Sequence, residues 1–229
     1  MRLLEEFKDK HKGEEMIVVC NGPGLKNIPF AFLESRPNFV LNFFAAWVPF
    51  IQPTYWLVFD PLCFRGAEYV NGTTKFVKGH QEQAFKFELE KLDLEFDEKN
   101  TCFYQMRDRI PNFTFTEEWG VKYSTSAIGA SHLAVHMGVS KVLLVGFDCT
   151  YGLGLYQNLE KFKGISRIPH FYDPRKHFCG YSEMWDSHFA HFRDWAEEQG
   201  TEVINLSVPT ESKHLKREDY RDYWQPEGA

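Results

Sequence analysis

The 229 residues suffice for one α/β domain with a sizeable core, with room for a lid within it. A formal charge of −6 argues against a broad phosphate-tracking surface, though not against a local basic cleft. Cys20, Cys63, Cys102, Cys149 and Cys179 are odd in number and lack CxxC spacing, which speaks against zinc or a disulfide framework and for reduced thiols in a cytoplasm.

The opening stretch MRLLEEFKDKHKGEEM is too charged for a secretory signal and predicts a short solvated helix over 1–15. No apolar run approaches ~20 residues, so no membrane span is expected. Met16 to Cys20 reads as a buried first strand that runs into Asn21-Gly22-Pro23-Gly24-Leu25. Two glycines around a proline make a tight turn that either closes an ordinary strand-to-loop connection or lets backbone approach a ligand. It is neither GxGxxG nor a P-loop. Phe39 to Phe43 reads as a second strand with Asn42 near its end, and residues 55–60 as a third ending in Asp60-Pro61. In a parallel sheet Asn21, Asn42 and Asp60 would ring one crevice, since ligands of open α/β sheets sit beyond the carboxyl ends of the strands.

Lys75 to Val77 predicts a short strand, and Gln81 to Leu94 a helix with Phe85, Leu89 and Leu92 on its apolar face. Cys102 to Gln105 predicts another short strand. Arg107 and Arg109 read as a surface pair or as phosphate contacts. Residues 121–152 hold the central unit. Ser124, Thr125 and Ser126 suit a helix start, Ile128, Leu133 and Met137 recur at helical spacing, and Gly138 is placed to end the helix. Val142 to Val145 is an apolar run of the kind covered on both faces, and Gly146-Phe147-Asp148 follows it.

Residues 151–176 are rich in Gly, aromatic and basic residues, without clean periodicity. The stretch 151–181 reads as a lid over the site or as a surface loop, with Tyr151, Tyr156, Arg167, Arg175 and Lys176 as candidate contacts. A helix is predicted from Glu183 to Gln199, capped by Ser182, with Trp185, Phe189, Phe192 and Trp195 as a core stripe flanked by His188 and His191. Val203 to Leu206 is predicted as the final strand, and the tail from Ser212 as a short helix packing back. The alternation of strand and helix gives a single Rossmann-like three-layer sandwich over 1–229 with a mostly parallel sheet.

In this order VVCNGPGL, LNFF, VFDP, STSAIGASHLAVHMGVSKVLLVGFD and HFCGYS resemble the small bacterial sialyltransferases of glycosyltransferase family 42, over about 150 residues. That family has an NGPSL turn, an Asn after strand two, a YNPS turn, a TSG-helix-strand-GID unit and an HYIGHS segment. Wider relatives with the same core include the archaeal hydroxymethylpterin diphosphokinase-like family and many uncharacterised phage proteins. The resemblance implies a nucleotide-sugar-dependent glycosyltransferase that uses a CMP- or UDP-linked donor as substrate and holds no permanent cofactor. The absence of DxD fits a metal-independent mechanism. The acceptor would be a hydroxyl of a glycan or of a hydroxymethylated base in phage DNA. Cytoplasmic location is expected, and homo-oligomerisation is left open.

By the same resemblance Asn21, Gly22 and Asn42 hold the nucleotide and Ser126 lies near the donor phosphate. Pro23, Gly24, Thr125, Gly146 and Asp148 share those strand and helix ends; Tyr156 matches a family phosphate-binding tyrosine, and Arg175 is a candidate phosphate contact from the loop independent of the resemblance. Four departures stand out: Gly24 replaces the NGPSL serine, Asp60 replaces the YNPS asparagine, Ala127 replaces the TSG glycine, and Tyr181 falls on the family's general base. Tyrosine titrates near ~10, so His177, with Asp60 second, is the better base. The alternatives are a pterin-type diphosphokinase using ATP and magnesium, and a non-catalytic nucleotide-binding phage protein.

Overall fold

The apolar runs become parallel strands because each is buried on both faces. The computed structural model describes residues 3–42, 51–104, 125–149, 183–208 and 210–224. Its strands are β1 (Glu15–Val19), β2 (Asn38–Leu41), β3 (Tyr55–Val58), β4 (Thr74–Lys78), β5 (Thr101–Tyr104), β6 (Lys141–Val145), β7 (Glu202–Asn205) and β8 (Lys216–Arg217). They form one sheet in the order β5-β4-β3-β2-β1-β6-β7-β8, with every pair parallel. The order reverses between β1 and β6, the switch point of a doubly wound sheet.

Alternate residues feed two cores. Met16 and Val18 of β1 face helices α3 (Ser126–His136) and α4 (Glu183–Glu198), whose Ile128, Leu133, Phe189 and Phe192 are fully buried. Ile17 and Val19 face α1 (Phe30–Glu34) and α2 (Glu82–Lys91), through Phe32, Leu33, Phe85 and Leu89. The result is a Rossmann-like three-layer α/β sandwich. α3 and α4 each end where Gly138 (φ +79°) and Gly200 (φ +83°) take the left-handed conformation. Among the described residues no helix is long and apolar enough to cross a membrane.

Two expectations are corrected. In place of a solvated helix over 1–15 there is one 3-10 turn, Leu4–Phe7, because Phe7 is buried against Tyr55 and Phe76 at ring-centroid distances of 6.1 and 4.9 Å. The segment after it is then held along the end of α3, with His11 N donating to Met137 O at 2.8 Å and Gly13 N to Gly138 O at 2.8 Å. β7 is not the last strand, since Lys216–Arg217 adds a short eighth beside it. The tail does pack back as a short helix, the 3-10 turn Tyr220–Asp222, with the Tyr220 and Trp224 rings 5.6 and 6.4 Å from Phe32. The predicted lid over 151–181, Arg107 and Arg109 lie outside the described residues.

Candidate functional site

The turns after β1 and β6 are joined to each other. Cys20 N donates to Val145 O at 2.8 Å and Gly22 N to Gly146 O at 2.8 Å. Gly24 N then donates to the Asp148 carboxylate at 2.6 Å. This contact explains both glycines. A Cβ on Gly22 would lie 2.3 Å from the Gly146 carbonyl oxygen, and one on Gly24 would lie 2.5 Å from Asp148 Oδ1. The close approach that the NGPG turn permits is therefore to Gly146 and Asp148. Asp148 is itself buried, and together with burial, the larger cause, its charge pushes the Cys20 thiol up. The end of β7 braces the same turn. Phe147 N donates to Ser207 Oγ at 2.7 Å, and Phe147 O accepts from Asn205 Nδ2 at 3.1 Å and Thr210 Oγ1 at 3.0 Å.

The ends of β2 and β3 meet the start of α3 instead. Asn42 follows β2 at φ +51°, a conformation that asparagine tolerates better than most side chains. Its Oδ1 accepts Phe59 N at 3.1 Å, its Nδ2 donates to Ser126 Oγ at 3.1 Å, and its carbonyl accepts Trp56 Nε1 at 2.7 Å. One side chain thus ties β3 to the first residue of α3. Thr125 caps that helix, its Oγ1 accepting Ile128 N at 3.3 Å. The next amides, those of Ser126 and Ala127, are of the kind that no intrahelical carbonyl satisfies. Gly129 allows the helix close, since a Cβ there would stand 2.4 Å from the Phe59 ring.

Asn21 links the two groups. The β1–β2 register pairs Val19 with Val40, which carries Asn21 to a place beside Asn42. Only 7% of Asn21 is exposed. Its Nδ2 donates to Leu41 O at 3.3 Å, and its Oδ1 is buried with no partner among the described residues. Asp60 stands half-buried beyond β3, its carbonyl accepting Cys63 N at 2.8 Å. Gln81 extends the row to the end of β4. Its Nε2 donates to Phe59 O at 3.3 Å, while Oε1 is buried without a partner among the described residues. In the sequence Gln81 reads only as the first residue of a helix. Its position one short turn after a strand was the available signal.

Asn21, Asn42, Thr125 and Ser126 are thus brought together, with Asp60 two strands along from Asn21. Gly22, Gly24, Gly146 and Asp148 form the adjoining joined turns, of which Pro23 is part. His177, Tyr181, Tyr156 and Arg175 lie outside the described residues, so of the proposed bases only Asp60 is located. Among the described residues no three His, Cys, Asp or Glu side chains cluster as a metal would need. Two cavities formed by described residues, of about 580 and 640 Å³, open at the opposite, N-terminal edge of the sheet. Comparison with protein-family models and with curated proteins finds no match for the chain.

Proposed function

We propose that the chain is a nucleotide-sugar-dependent glycosyltransferase that binds its donor across the carboxyl ends of β1 and β2. The observation that carries this reading is the buried Asn21 acceptor, unpartnered among the described residues, beside the Asn42–Ser126 hydrogen bond at the start of a capped helix. A ribose hydroxyl or a base amino group supplies the donor that Asn21 Oδ1 lacks. Ser126 Oγ, the first amides of α3 and the helix dipole favour a phosphate at the other end of the nucleotide. The motif order, which resembles that of glycosyltransferase family 42, favours CMP or UDP as that nucleotide.

In the reaction the bond from the anomeric carbon to the phosphate oxygen breaks, and its electron pair leaves with the nucleotide. The acceptor oxygen forms the new bond to the same carbon, and its proton passes to a base, His177 or Asp60. The helix start stabilises the charge of the departing phosphate. The Asp60 carboxylate disfavours an anionic sugar at the end of β3, so a neutral sugar fits better than a sialic acid. The net charge of −6 likewise favours a glycan acceptor over a DNA base.

Calorimetric titration with CMP, UDP, their sugar conjugates and ATP, each with magnesium or with chelator, tests the reading. Binding of a pyrimidine nucleotide regardless of chelator, with nucleotide release from the sugar conjugate on adding acceptor, is the expected result. At 100 times its Kd such a ligand also stabilises the fold by ~2.7 kcal/mol. Binding of ATP alone, and only with magnesium, would replace this reading with a pterin-type diphosphokinase. Binding without release from any donor would leave a nucleotide-binding protein and no enzyme.

A further inference from the structure

The opposite edge of the sheet holds a feature that glycosyl transfer does not use. Lys75 is the second residue of β4, paired with Trp56 of β3 and Thr101 of β5, and only 6% of it is exposed. Lysine is rarely buried in a strand unless its chemistry or a partner compensates the lost hydration. Its Nζ donates to the Thr73 carbonyl at 3.1 Å. A neutral carbonyl holds the amine in place without demanding the charged form, as a carboxylate in contact would.

Lys75 is one of the residues lining the cavity of about 640 Å³, within the size range of small-molecule sites. Leu89, Leu94 and Phe96 give that cavity apolar walls. Glu68, Asp93, Glu95, Asp97 and Glu98 surround it, against Lys99 as the one other lysine among the described lining residues. Burial holds the Lys75 ammonium below the usual lysine range, and the charge of Asp97 opposes this only in part. A desolvated lysine is the common nucleophile toward carbonyl compounds.

The geometry points to Lys75 as a carbonyl-capturing amine whose cavity takes a small neutral or cationic aldehyde. The Nζ lone pair attacks the carbonyl carbon, and a proton moves from nitrogen to oxygen to give a carbinolamine. Loss of one water then leaves the imine, so no oxidant or reductant is consumed. The surrounding carboxylates repel an anionic carbonyl compound.

The test uses the whole protein with benzaldehyde or its para-carboxylate analogue, trapped by cyanoborohydride and mapped by mass spectrometry at every lysine. The expected result is benzaldehyde labelling of Lys75 ahead of the exposed Lys86, Lys91 and Lys99 by about tenfold, with the carboxylate analogue several-fold slower there. Labelling that simply follows exposure, or an unmodified Lys75, overturns the proposal. Equal labelling by the two aldehydes overturns the assigned ligand class. Lys75→Met is expected to lose this adduct and no other. Should that variant not fold, the map on the natural chain decides alone. The outcome is independent of whether any nucleotide binds at the far edge.

Discussion

Two neighbouring groups of polar strand ends are used in opposite ways. After β1 and β6, glycines and Asp148 turn toward each other, so the Gly22 and Gly24 amides are satisfied within the protein. Beside that joint, Asn42 after β2 satisfies both ends of its amide, while Asn21 after β1 and Gln81 after β4 each leave an oxygen over among the described residues. Buried polar groups without partners are uncommon, so the second group is where a ligand's donors have somewhere to go. The first group fixes the distance between β1 and β6, and the second offers chemistry beside it. A strand-end Gly or Asp in a sequence therefore marks either a joint or a site, and only the cross-chain partner separates them.

The joined side is where the largest effect lies. Gly22→Ala places a Cβ 2.3 Å from a main-chain oxygen that cannot rotate away, and about 3 kcal/mol of stability should be lost in urea unfolding. Gly24→Ala meets the Asp148 side chain at 2.5 Å, which can shift, so about half that loss is expected. Natural stability in both variants would show that the two turns are not packed as a joint.

The next effect concerns α3, which carries the open side. His132 in its middle is fully buried, with Trp195 edge-on at 4.4 Å, and burial with the nearby His136 holds its pKa down to about 3, against an ordinary 6.5. Between those values the unfolded chain binds a proton that the folded chain does not. Stability is therefore present above about pH 6.5 and lost as the pH falls toward 3, by about 2 kcal/mol at pH 5. Unfolding midpoints measured against pH should show this slope, and His132→Phe should flatten it. An unchanged slope in that variant would assign the acid sensitivity elsewhere.

Much of this was legible because parallel strands covered on both faces read as unbroken apolar runs: Val142 to Val145 and Met16 to Val19 stand out without any partner in view. β8 was not, since Lys216 and Arg217 are exposed and charged and present no apolar run, only a short pairing and a Lys216–Glu202 contact at 2.7 Å. The N-terminal turn was misread because LLEEF has helical character, while the burial of Phe7 depends on Phe76 far along the chain. At the site, Asn42 and Ser126 were visible singly as a strand end and a helix start. Their contact across 84 residues was not, nor was the pairing of Gly24 with Asp148.

Smaller still is Thr125→Ala, which removes the cap from Ile128 N and should cost about 1 kcal/mol, read from the urea midpoint. The smallest effect on stability, and the sharpest test of the comparison, is Asn21→Ala. Its Nδ2 makes one long bond of 3.3 Å to Leu41 O, worth about 0.5 kcal/mol. Its Oδ1 lies buried without an acceptor's reward among the described residues, so removing it recovers desolvation of similar size. The two contributions nearly cancel, and the unfolding midpoint should move by no more than about 0.5 kcal/mol. Pyrimidine nucleotide affinity, measured by calorimetry on the same sample, should fall by tenfold or more, on the order of the 1.4 kcal/mol that one satisfied buried acceptor contributes. A variant that loses about 2 kcal/mol of stability with affinity intact would show Asn21 to be a second joint like Gly24–Asp148. The open side of the comparison would then be closed, and the donor site would have to be sought away from β1.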